Sequence, residues 1–430
     1  MRLTKNKLSQ LIFSYLLFLL FSSAFAQPKM RVDGPDADRL GFKEGYPGCP
    51  QALIQAKCRV GTWSANHQFA PHTIAASAEI PLELLYEERS VDISYRWGFG
   101  SKSIDDFMSD TKTTGLLVIK DGKIIAERYQ YDRKPDMPFR SFSMAKTVMS
   151  MLIGIANKKG FIKSLDDKAY EYWPEIEQSA YGQTTIKNLL RMSSGVQFKE
   201  LYTWTTDDDI WQWNLMLYKP ENKMKPEKVA EYLNNKTVRA IEQGKKFSYA
   251  TIETEILGRV LAKASGKSIN QLTEEWLWKP MGAEGKAYWL LSGTDQIEGT
   301  GGSFNATLRD YGRLGVLLAN DGERDGIEVI PKEYILDATD VSRQPSAFHP
   351  KVATPFFGYG YQTWLFPLKE RTFALQGIHG QSMLVQPKSK IVIVQTSVND
   401  QPSGRFDIRP YQLRDSMWMG FLKSLGGFVD

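Results

Sequence analysis

Residues 139–160 read FRSFSMAKTVMSMLIGIANKKG, and this stretch decides how the chain is interpreted. Ser143 and Lys146 stand three positions apart, a spacing that places both side chains on one face of a helix. A mostly apolar run, 147–156, follows, and basic residues and Gly160 then supply a stop signal. The stretch therefore predicts a buried helix with a hydroxyl and an amine at its N-terminal end, where the helix dipole favours developing negative charge.

The Ser-x-x-Lys pattern is a weak signal by itself, because two common residues at one spacing also arise by chance. A second match, Ser109 to Lys112, lies in a polar stretch with no apolar helix behind it. A serine nucleophile also needs a positioned base. The sequence contains no G-x-S-x-G elbow and no His–Asp pair near a candidate serine, so a Lys or Tyr base is the remaining option.

The N-terminus predicts export. Three basic residues precede an apolar stretch, 11–21, and small residues then lead to a predicted cleavage site after Ala26. We interpret residues 1–26 as a cleavable signal peptide of a periplasmic or secreted protein, with a membrane anchor as the alternative. Cleavage leaves a nearly neutral chain without a second spanning segment. We therefore expect neither nucleic-acid binding nor membrane contact in the mature protein.

Cys49 and Cys58 are the only two cysteines. In an oxidising compartment their closeness in sequence predicts a local disulfide, with two free thiols as the alternative. The four histidines form no motif with the spacing of metal ligands. The sequence therefore predicts neither a metal site nor a cofactor.

The fold prediction rests on changes of pattern along the chain. Residues 27–99 are rich in Gly and Pro and predict an extended N-terminal arm, whereas the apolar runs around Asp121-Gly122 predict a hairpin. A mostly helical lobe is expected at about 165–298. Four strand-like segments with short turns then predict an antiparallel meander, followed by a last helix at 413–425. The class is therefore α+β, with a body over residues 100–430.

Two further segments are candidates for the site. Tyr249, in GKKFSYATIETEILG, stands where a polar turn enters an amphipathic helix, and such a junction presents a side chain into a cleft. An ordinary half-buried tyrosine is the alternative. Gly377–Gln381, GIHGQ, has glycines at a strand edge, where a backbone can approach a ligand closely. A simple turn between strands is the alternative there.

Together these segments resemble a known family. Ser143 to Lys146, Tyr249 to Thr251 and Gly377–Gln381 occur in the order of the S-x-x-K, Y-x-N and K-T-G elements of serine β-lactamases and penicillin-binding proteins. The linking stretches LLRMSSGVQF and GGSFNATLRDYGRLGVLLANDG are similar to segments of class C β-lactamase-like hydrolases. Within that group, residues 100–425 most resemble the 6-aminohexanoate-dimer hydrolases and related esterases.

The resemblance implies an αβα sandwich with an antiparallel sheet and an inserted, mostly helical domain. It also implies an acyl-enzyme on Ser143, activated by Lys146 and Tyr249, with the first base left open between these two residues. A neighbouring ammonium is expected to lower the pKa of the Tyr249 phenol. By the same resemblance the oxyanion hole consists of the backbone N–H groups of Ser143 and Ile378.

The sequence departs from the family pattern at two positions. Thr251 stands where the β-lactamases usually have Asn, and no Lys begins the third motif. That Lys helps to hold the substrate carboxylate in β-lactamases, so its absence argues against β-lactam turnover. Arg343 or Arg371 are candidates to replace it from elsewhere in the chain.

Other residues are assigned by resemblance or by position. Tyr202 lies on a loop that carries a substrate-contacting Tyr in the amide hydrolases. His379 is a second expected substrate contact, and the alternative is a strand-surface residue or one that only supports the residues in contact with the substrate. The nearby tryptophans at 204, 211 and 213 line an acyl pocket or, as the favoured reading, pack the lobe. The acidic run 207–209 is expected to be a solvated loop, not half of a cation site.

The sequence thus predicts an exported serine hydrolase that cleaves ester or linear amide bonds of a small molecule without a cofactor. One alternative is a β-lactamase or a D-Ala-D-Ala carboxypeptidase. The other is a catalytically inactive module of the same fold that binds peptidoglycan or a partner. The oligomeric state is not predicted.

Overall fold

The computed structural model describes residues 28–50, 52–88 and 91–430. The predicted signal peptide, 1–26, lies outside these residues. Within the described part of the chain, no helix has the length and hydropathy needed to cross a membrane.

The described chain contains four β-sheets. Its strands in chain order are β1 Lys29–Met30, β2 His72–Ala75, β3 Ser94–Trp97, β4 Gly100–Ser103, β5 Thr113–Lys120, β6 Lys123–Tyr129, β7 Pro138–Arg140, β8 Ala287–Leu290, β9 Phe304–Thr307, β10 Glu323–Arg324, β11 Ile327–Glu328, β12 Gly358–Tyr359, β13 Trp364–Leu365, β14 Phe373–Gly377, β15 Gln381–Gln386 and β16 Ile391–Ser397.

The central sheet has eight strands in the order β1-β6-β5-β16-β15-β14-β13-β12. All neighbours are antiparallel except β1 and β6, which are parallel. Strands β5 and β6 form the predicted hairpin, and both turn residues, Asp121 (φ 52°) and Gly122 (φ 77°), are left-handed as a tight two-residue turn requires. Strands β12 to β16 confirm the predicted meander.

Helices occupy both faces of this sheet and the inserted lobe. They are α1 Arg59–Trp63, α2 Ile104–Asp110, α3 Ala145–Lys158, α4 Ile186–Leu190, α5 Asp209–Tyr218, α6 Glu227–Asn234, α7 Thr251–Ser265, α8 Ile269–Leu272, α9 Leu308–Ala319, α10 Lys332–Thr339 and α11 Arg409–Ser424. Helix α3 is the one predicted behind Ser143. Helix α7 ends at Ser265 and is capped, as predicted, by Gly266, whose φ of 67° suits a residue without a side chain.

The central sheet separates two apolar cores. On one face Leu117 and Val394 pack with α3, α9 and the helical lobe, whereas Leu116 and Ile393 on the other face pack with α2 and α11. The period-two alternation along β5 and β16 thus supplies both cores, because successive side chains of a strand point to opposite faces. The predicted αβα sandwich is therefore confirmed.

The N-terminal arm packs against the body and pairs with two of its strands. Cys49 and Cys58 form the predicted disulfide. Strand β1 extends the central sheet, and β2 pairs with β8 in a second sheet of order β2-β8-β9-β7. The boundary predicted at residue 99 falls at the turn between β3 and β4, so the hairpin spans the predicted arm and the predicted body.

Candidate active site

Ser143 lies in a short 3-10 turn, Phe142–Met144, that leads from β7 directly into α3. Phe142 has a φ of 45°, a left-handed conformation that costs energy for a residue with a bulky side chain. Its ring packs at 5.0 Å from Trp63 and 5.6 Å from His379, measured between ring centroids. This packing holds the strained turn and leaves Ser143 half-buried at the N-terminal end of the helix.

Lys146 is held against Ser143 from one turn further along the chain. Its Nζ donates to Ser143 Oγ at 3.0 Å and to the Gly301 carbonyl at 2.5 Å. The side chain is buried, with only 2% of the residue exposed. Burial lowers the pKa of Lys146 to about 8, although the carboxylates of Glu200 and Glu255 act in the opposite direction. The amine is therefore much closer to a neutral base than an ordinary lysine.

Gly301 accepts this bond because its segment runs unusually close to α7. A Cβ at Gly301 would lie 2.5 Å from Thr251 Cγ2 and 2.9 Å from Glu255 Oε1. The Gly301 N–H donates to Glu255 Oε1 at 2.8 Å. Part of the GGSFNATLRD signature therefore brings a backbone carbonyl to the buried amine, where a larger residue would push the two segments apart.

Tyr249 closes the other side of the pair. Its ring centroid lies 5.2 Å from Lys146 Nζ, and its ring stacks on Trp364 at 5.7 Å. Burial and then the Glu200 charge raise the pKa of the Tyr249 phenol, and a hydrogen bond with the Ser143 side chain opposes them. The expected lowering of this pKa by Lys146 is therefore wrong, because desolvation and the nearby Glu200 carboxylate raise it.

Glu200 connects the helix that follows Tyr249 with the Tyr202 loop. Its Oε2 accepts from the Thr251 N–H at 2.6 Å, and its Oε1 accepts from Thr251 Oγ1 at 2.6 Å and from the Tyr202 hydroxyl at 2.5 Å. Thr251 begins α7, so the carboxylate also interacts favourably with the positive end of that helix. The Thr that replaces the usual Asn thus fixes an acid beside the site.

The acidic run shapes the Tyr202 loop. The buried carboxylate of Asp208 accepts from the N–H groups of Leu201, Thr203 and Trp204 at 3.0, 2.8 and 3.2 Å. The predicted solvated loop is therefore wrong at its middle residue, because these backbone donors take Asp208 out of water. Over the described ranges, no group of three His, Cys, Asp or Glu residues is placed to hold a metal ion.

The neighbouring tryptophans do not all have the same role: one packs in the core of the lobe, and two lie at its surface near Tyr202. Trp213 is 1% exposed and belongs to the core of the lobe, as the favoured reading predicted. Trp204 and Trp211 are half-buried, in contact with each other at 5.8 Å, and Trp204 also lies 6.3 Å from the ring of Tyr202. These three rings form one aromatic group next to Glu200.

Ile378 adjoins the nucleophile through the end of β14. A Cβ at Gly377 would lie 2.4 Å from the Ser141 carbonyl and 3.1 Å from the Phe142 Cβ, so the two backbones touch there. The N–H groups of Ser143 and Ile378 therefore belong to adjoining segments, as an oxyanion hole requires. Their role in the hole stays a prediction.

His379 faces the arm. It is 4% exposed, its ring lies 4.7 Å from that of Trp63, and its Nδ1 donates to the Asn399 carbonyl at 2.8 Å. Burial lowers the pKa of His379 to about 4, so the imidazole is neutral at ordinary pH. This geometry supports the alternative in which His379 is a supporting residue without contact to the substrate, and gives no support to a substrate contact.

The two arginines considered as substitutes for the missing lysine are engaged elsewhere. Arg343 Nη1 donates to Glu333 at 2.8 Å and to Asp337 at 3.0 Å, and Arg371 pairs with Asp321. Neither forms a bond with the Gly377–Gln381 segment. The structure therefore gives no support to either candidate as a substitute for the missing lysine.

Sequence reasoning missed two residues of the site, Glu200 and Trp364. Glu200 stands two residues before Tyr202 in FKELYTW, and a carboxylate beside that expected contact was a signal that could have been used. Trp364 lies in β13 and reaches Tyr249 only through the fold, so no local pattern marks it.

Comparisons with known proteins agree with this geometry. The Beta-lactamase family model matches residues 101–416. A 6-aminohexanoate-dimer hydrolase of Paenarthrobacter ureafaciens is 22% identical over 310 residues, which cover 70% of this chain and 76% of that protein. A solved structure from Bacillus anthracis, provisionally assigned as a 6-aminohexanoate-dimer hydrolase, has a TM-score of 0.71 at 23% identity and covers 86% of this chain and 94% of its own.

A family VIII carboxylesterase is a further structural neighbour, with a TM-score of 0.52 at 16% identity over 72% of this chain and 93% of its own. At these identities, the solved structures show a shared fold.

Proposed function

The chain belongs to the Beta-lactamase family and is a serine hydrolase, and we propose that it cleaves ester or linear amide bonds through an acyl-enzyme on Ser143. The observation that carries the proposal is the 3.0 Å hydrogen bond from Lys146 Nζ to Ser143 Oγ in a buried setting. The names of the similar proteins, a 6-aminohexanoate-dimer hydrolase and a family VIII carboxylesterase, favour this substrate class.

In the acylation step, the neutral amine of Lys146 takes the Ser143 proton as Oγ bonds to the substrate carbonyl carbon. The pKa of about 8 keeps a useful fraction of the amine neutral near pH 7 to 8. Negative charge that develops on the carbonyl oxygen is stabilised by the N–H groups of Ser143 and Ile378. Each such donor typically lowers the barrier by about 3 kcal/mol.

Tyr249 serves as the acid in this scheme. Its raised pKa keeps the phenol protonated, so it can donate its proton to the leaving alcohol or amine as the carbon–oxygen or carbon–nitrogen bond breaks. Lys146, 5.2 Å from the ring, then returns a proton to the phenolate. In the second half-reaction a water replaces the alcohol or amine, and the same groups release the acid and restore Ser143.

Export to the periplasm or to the medium is part of the proposal. It rests on the signal-peptide pattern of residues 1–26 and on the disulfide between Cys49 and Cys58, since such bonds persist in oxidising compartments.

A hydrolysis screen tests the substrate class. We expect short-chain p-nitrophenyl esters and linear amides to be cleaved, and penicillins and cephalosporins to be poor substrates, because no lysine begins the third motif and His379 is neutral and buried. Loss of a charge-assisted contact typically weakens binding by about 10- to 100-fold. The Ser143→Ala variant is the control for background hydrolysis. β-Lactam hydrolysis at rates that match those on the esters would overturn the substrate class.

A further inference from the structure

Arg140 lies close to the nucleophile and has no acidic partner among the described residues. It ends β7, three residues before Ser143, and its guanidinium lies 4.4 Å above the Phe142 ring. Its Nε donates to the Gly302 carbonyl at 3.3 Å. No Asp or Glu of the described chain pairs with Arg140. Its Nη1 and Nη2 make no hydrogen bond to the described residues.

Other enclosed arginines of this protein are satisfied differently. Arg259 pairs with Glu255 and Asp295. Arg239 has no acidic partner, but its guanidinium donates to the Thr184 hydroxyl at 2.8 Å and to two backbone carbonyls. Arg140, in contrast, has a ring beneath it, one long hydrogen bond and two free Nη groups.

This arrangement is costly without an anion. Taking a guanidinium partly out of water is unfavourable unless charge or hydrogen bonds compensate for the lost hydration. Burial lowers the pKa of Arg140 to about 10, which is the electrostatic sign of that cost. A planar guanidinium with its outer fork free has the geometry that binds a carboxylate through two parallel hydrogen bonds.

The location connects this fork to the reaction. Arg140 donates a hydrogen bond to the Gly302 carbonyl, and Lys146 donates one to the carbonyl of the adjacent Gly301. The guanidinium and the catalytic amine therefore contact neighbouring residues of one segment. Tyr218 adjoins the same segment, since a Cβ at Gly299 would lie 3.5 Å from its hydroxyl oxygen, and its charge state and that of Arg140 influence one another.

We propose that Arg140, with Tyr218 beside it, forms a subsite for a carboxylate at the far end of a linear ester or amide substrate. The inference rests on the proposed function and narrows its substrate class to chains that carry an acid remote from the scissile bond. A flexible chain can bring such a group to Arg140. The carboxylate of a β-lactam is held rigidly next to the scissile bond, so the proposal does not extend to β-lactams.

Two matched ester pairs test the subsite. The acyl pair is mono-p-nitrophenyl adipate and p-nitrophenyl hexanoate, and the leaving-group pair is 4-(hexanoyloxy)benzoate and 4-(hexanoyloxy)benzamide. We expect the wild type to prefer the charged member of at least one pair. R140Q should lower kcat/KM for that member by about 10- to 100-fold, mainly through KM, and change kcat/KM for its neutral partner by less than about twofold.

R191Q is the matched control. Arg191 likewise donates through Nε to one neutral acceptor, Gln344, and stacks on the rings of Phe348 and Tyr361, but it lies outside the site. It should leave the preference for the charged substrate unchanged. If R140Q does not fold, the wild type is measured at increasing NaCl concentration. Its preference for the charged ester must then fall, because salt screens a preference that depends on charge.

Equal kcat/KM for charged and neutral esters in the wild type, or equal losses for both in R140Q, would overturn the subsite and leave the proposed function standing. A wild type that hydrolyses neither member of either pair would instead overturn the proposed function.

Discussion

The protonation state of Lys146 controls the chemistry at the residue scale. Its amine is buried next to Ser143, with a pKa of about 8, so most of it carries a proton at pH 7. A base must be neutral to accept a proton. We therefore expect kcat/KM for a neutral ester to rise between about pH 7 and pH 9.

The Glu200→Gln variant tests this electrostatic account. The Glu200 carboxylate raises the pKa of Lys146, so its removal should lower that pKa further and move the rising limb of kcat/KM to lower pH. Gln retains an oxygen that can accept from Thr251, so α7 should keep its start. The measurement is the pH profile of kcat/KM for a p-nitrophenyl ester. If the rising limb of the pH profile stays in place or moves to higher pH in the variant, the assignment of Lys146 as the base is contradicted.

The sequence predicted Ser143 and Lys146 together because the pitch of a helix fixes their relation, and nothing outside the helix is needed to place them. Glu200 and Trp364 could not be predicted in the same way. Each reaches Tyr249 or Thr251 from a segment remote in sequence, through loop geometry that Asp208 imposes and through a sheet edge that exists only in the folded chain.

At the element scale, the end of β14 and the turn before α3 support one another. His379 has a left-handed φ of 62° and lies between the rings of Trp63 and Phe142. Its pKa of about 4 lies below the ordinary value near 6.5, so between these pH values the unfolded chain binds a proton that the folded chain does not.

The stability of the protein should therefore fall as the pH decreases from about 6.5 to about 4, by at most about 1.4 kcal/mol per pH unit from this residue. His379→Asn is the informative variant, because Asn tolerates a left-handed φ and can still donate to the Asn399 carbonyl. It should show a smaller loss of stability over this range in urea unfolding. An unchanged acid dependence in the variant would mean that His379 is not the responsible group.

The sequence located the helices and strands that carry strong local signals. The Asp121-Gly122 hairpin, α3 and α7 each carry their own turn or cap residue. Strands β2 and β8 are four residues each and pair across about half of the chain, so their formation depends on tertiary contacts that no local pattern records.

At the scale of the whole molecule, ion pairs and an apolar cluster hold the N-terminal arm against the segment that precedes Ser143. Lys112 pairs with Asp36 and Asp400, and Arg39 bridges the same two acids. The apolar cluster next to them contains Cys58 and Trp63 of the arm together with Phe142. The arm thus packs against the turn that presents Ser143. The sequence predicted an arm but not this contact, since its Gly- and Pro-rich pattern carries no information on what it packs against.

Removal of the disulfide should loosen this support. For a loop of this length, the chain-entropy estimate for the crosslink is about 2 to 3 kcal/mol. We expect the double variant Cys49→Ser, Cys58→Ser to unfold at a lower temperature and to lose esterase activity on heating before the wild type does. Dithiothreitol should shift the wild type towards the variant and leave the variant unchanged. Equal melting temperatures for the two proteins would show that the arm does not depend on the bond.

The central claim is that Ser143 forms the covalent intermediate. The most direct measurement is the mass of the intact protein after treatment with a fluorophosphonate probe, followed by peptide mapping of the adduct. The wild type should gain one probe per chain on Ser143, and the Ser143→Ala variant should gain none. Stoichiometric labelling that persists in the Ser143→Ala variant would remove this residue from the mechanism.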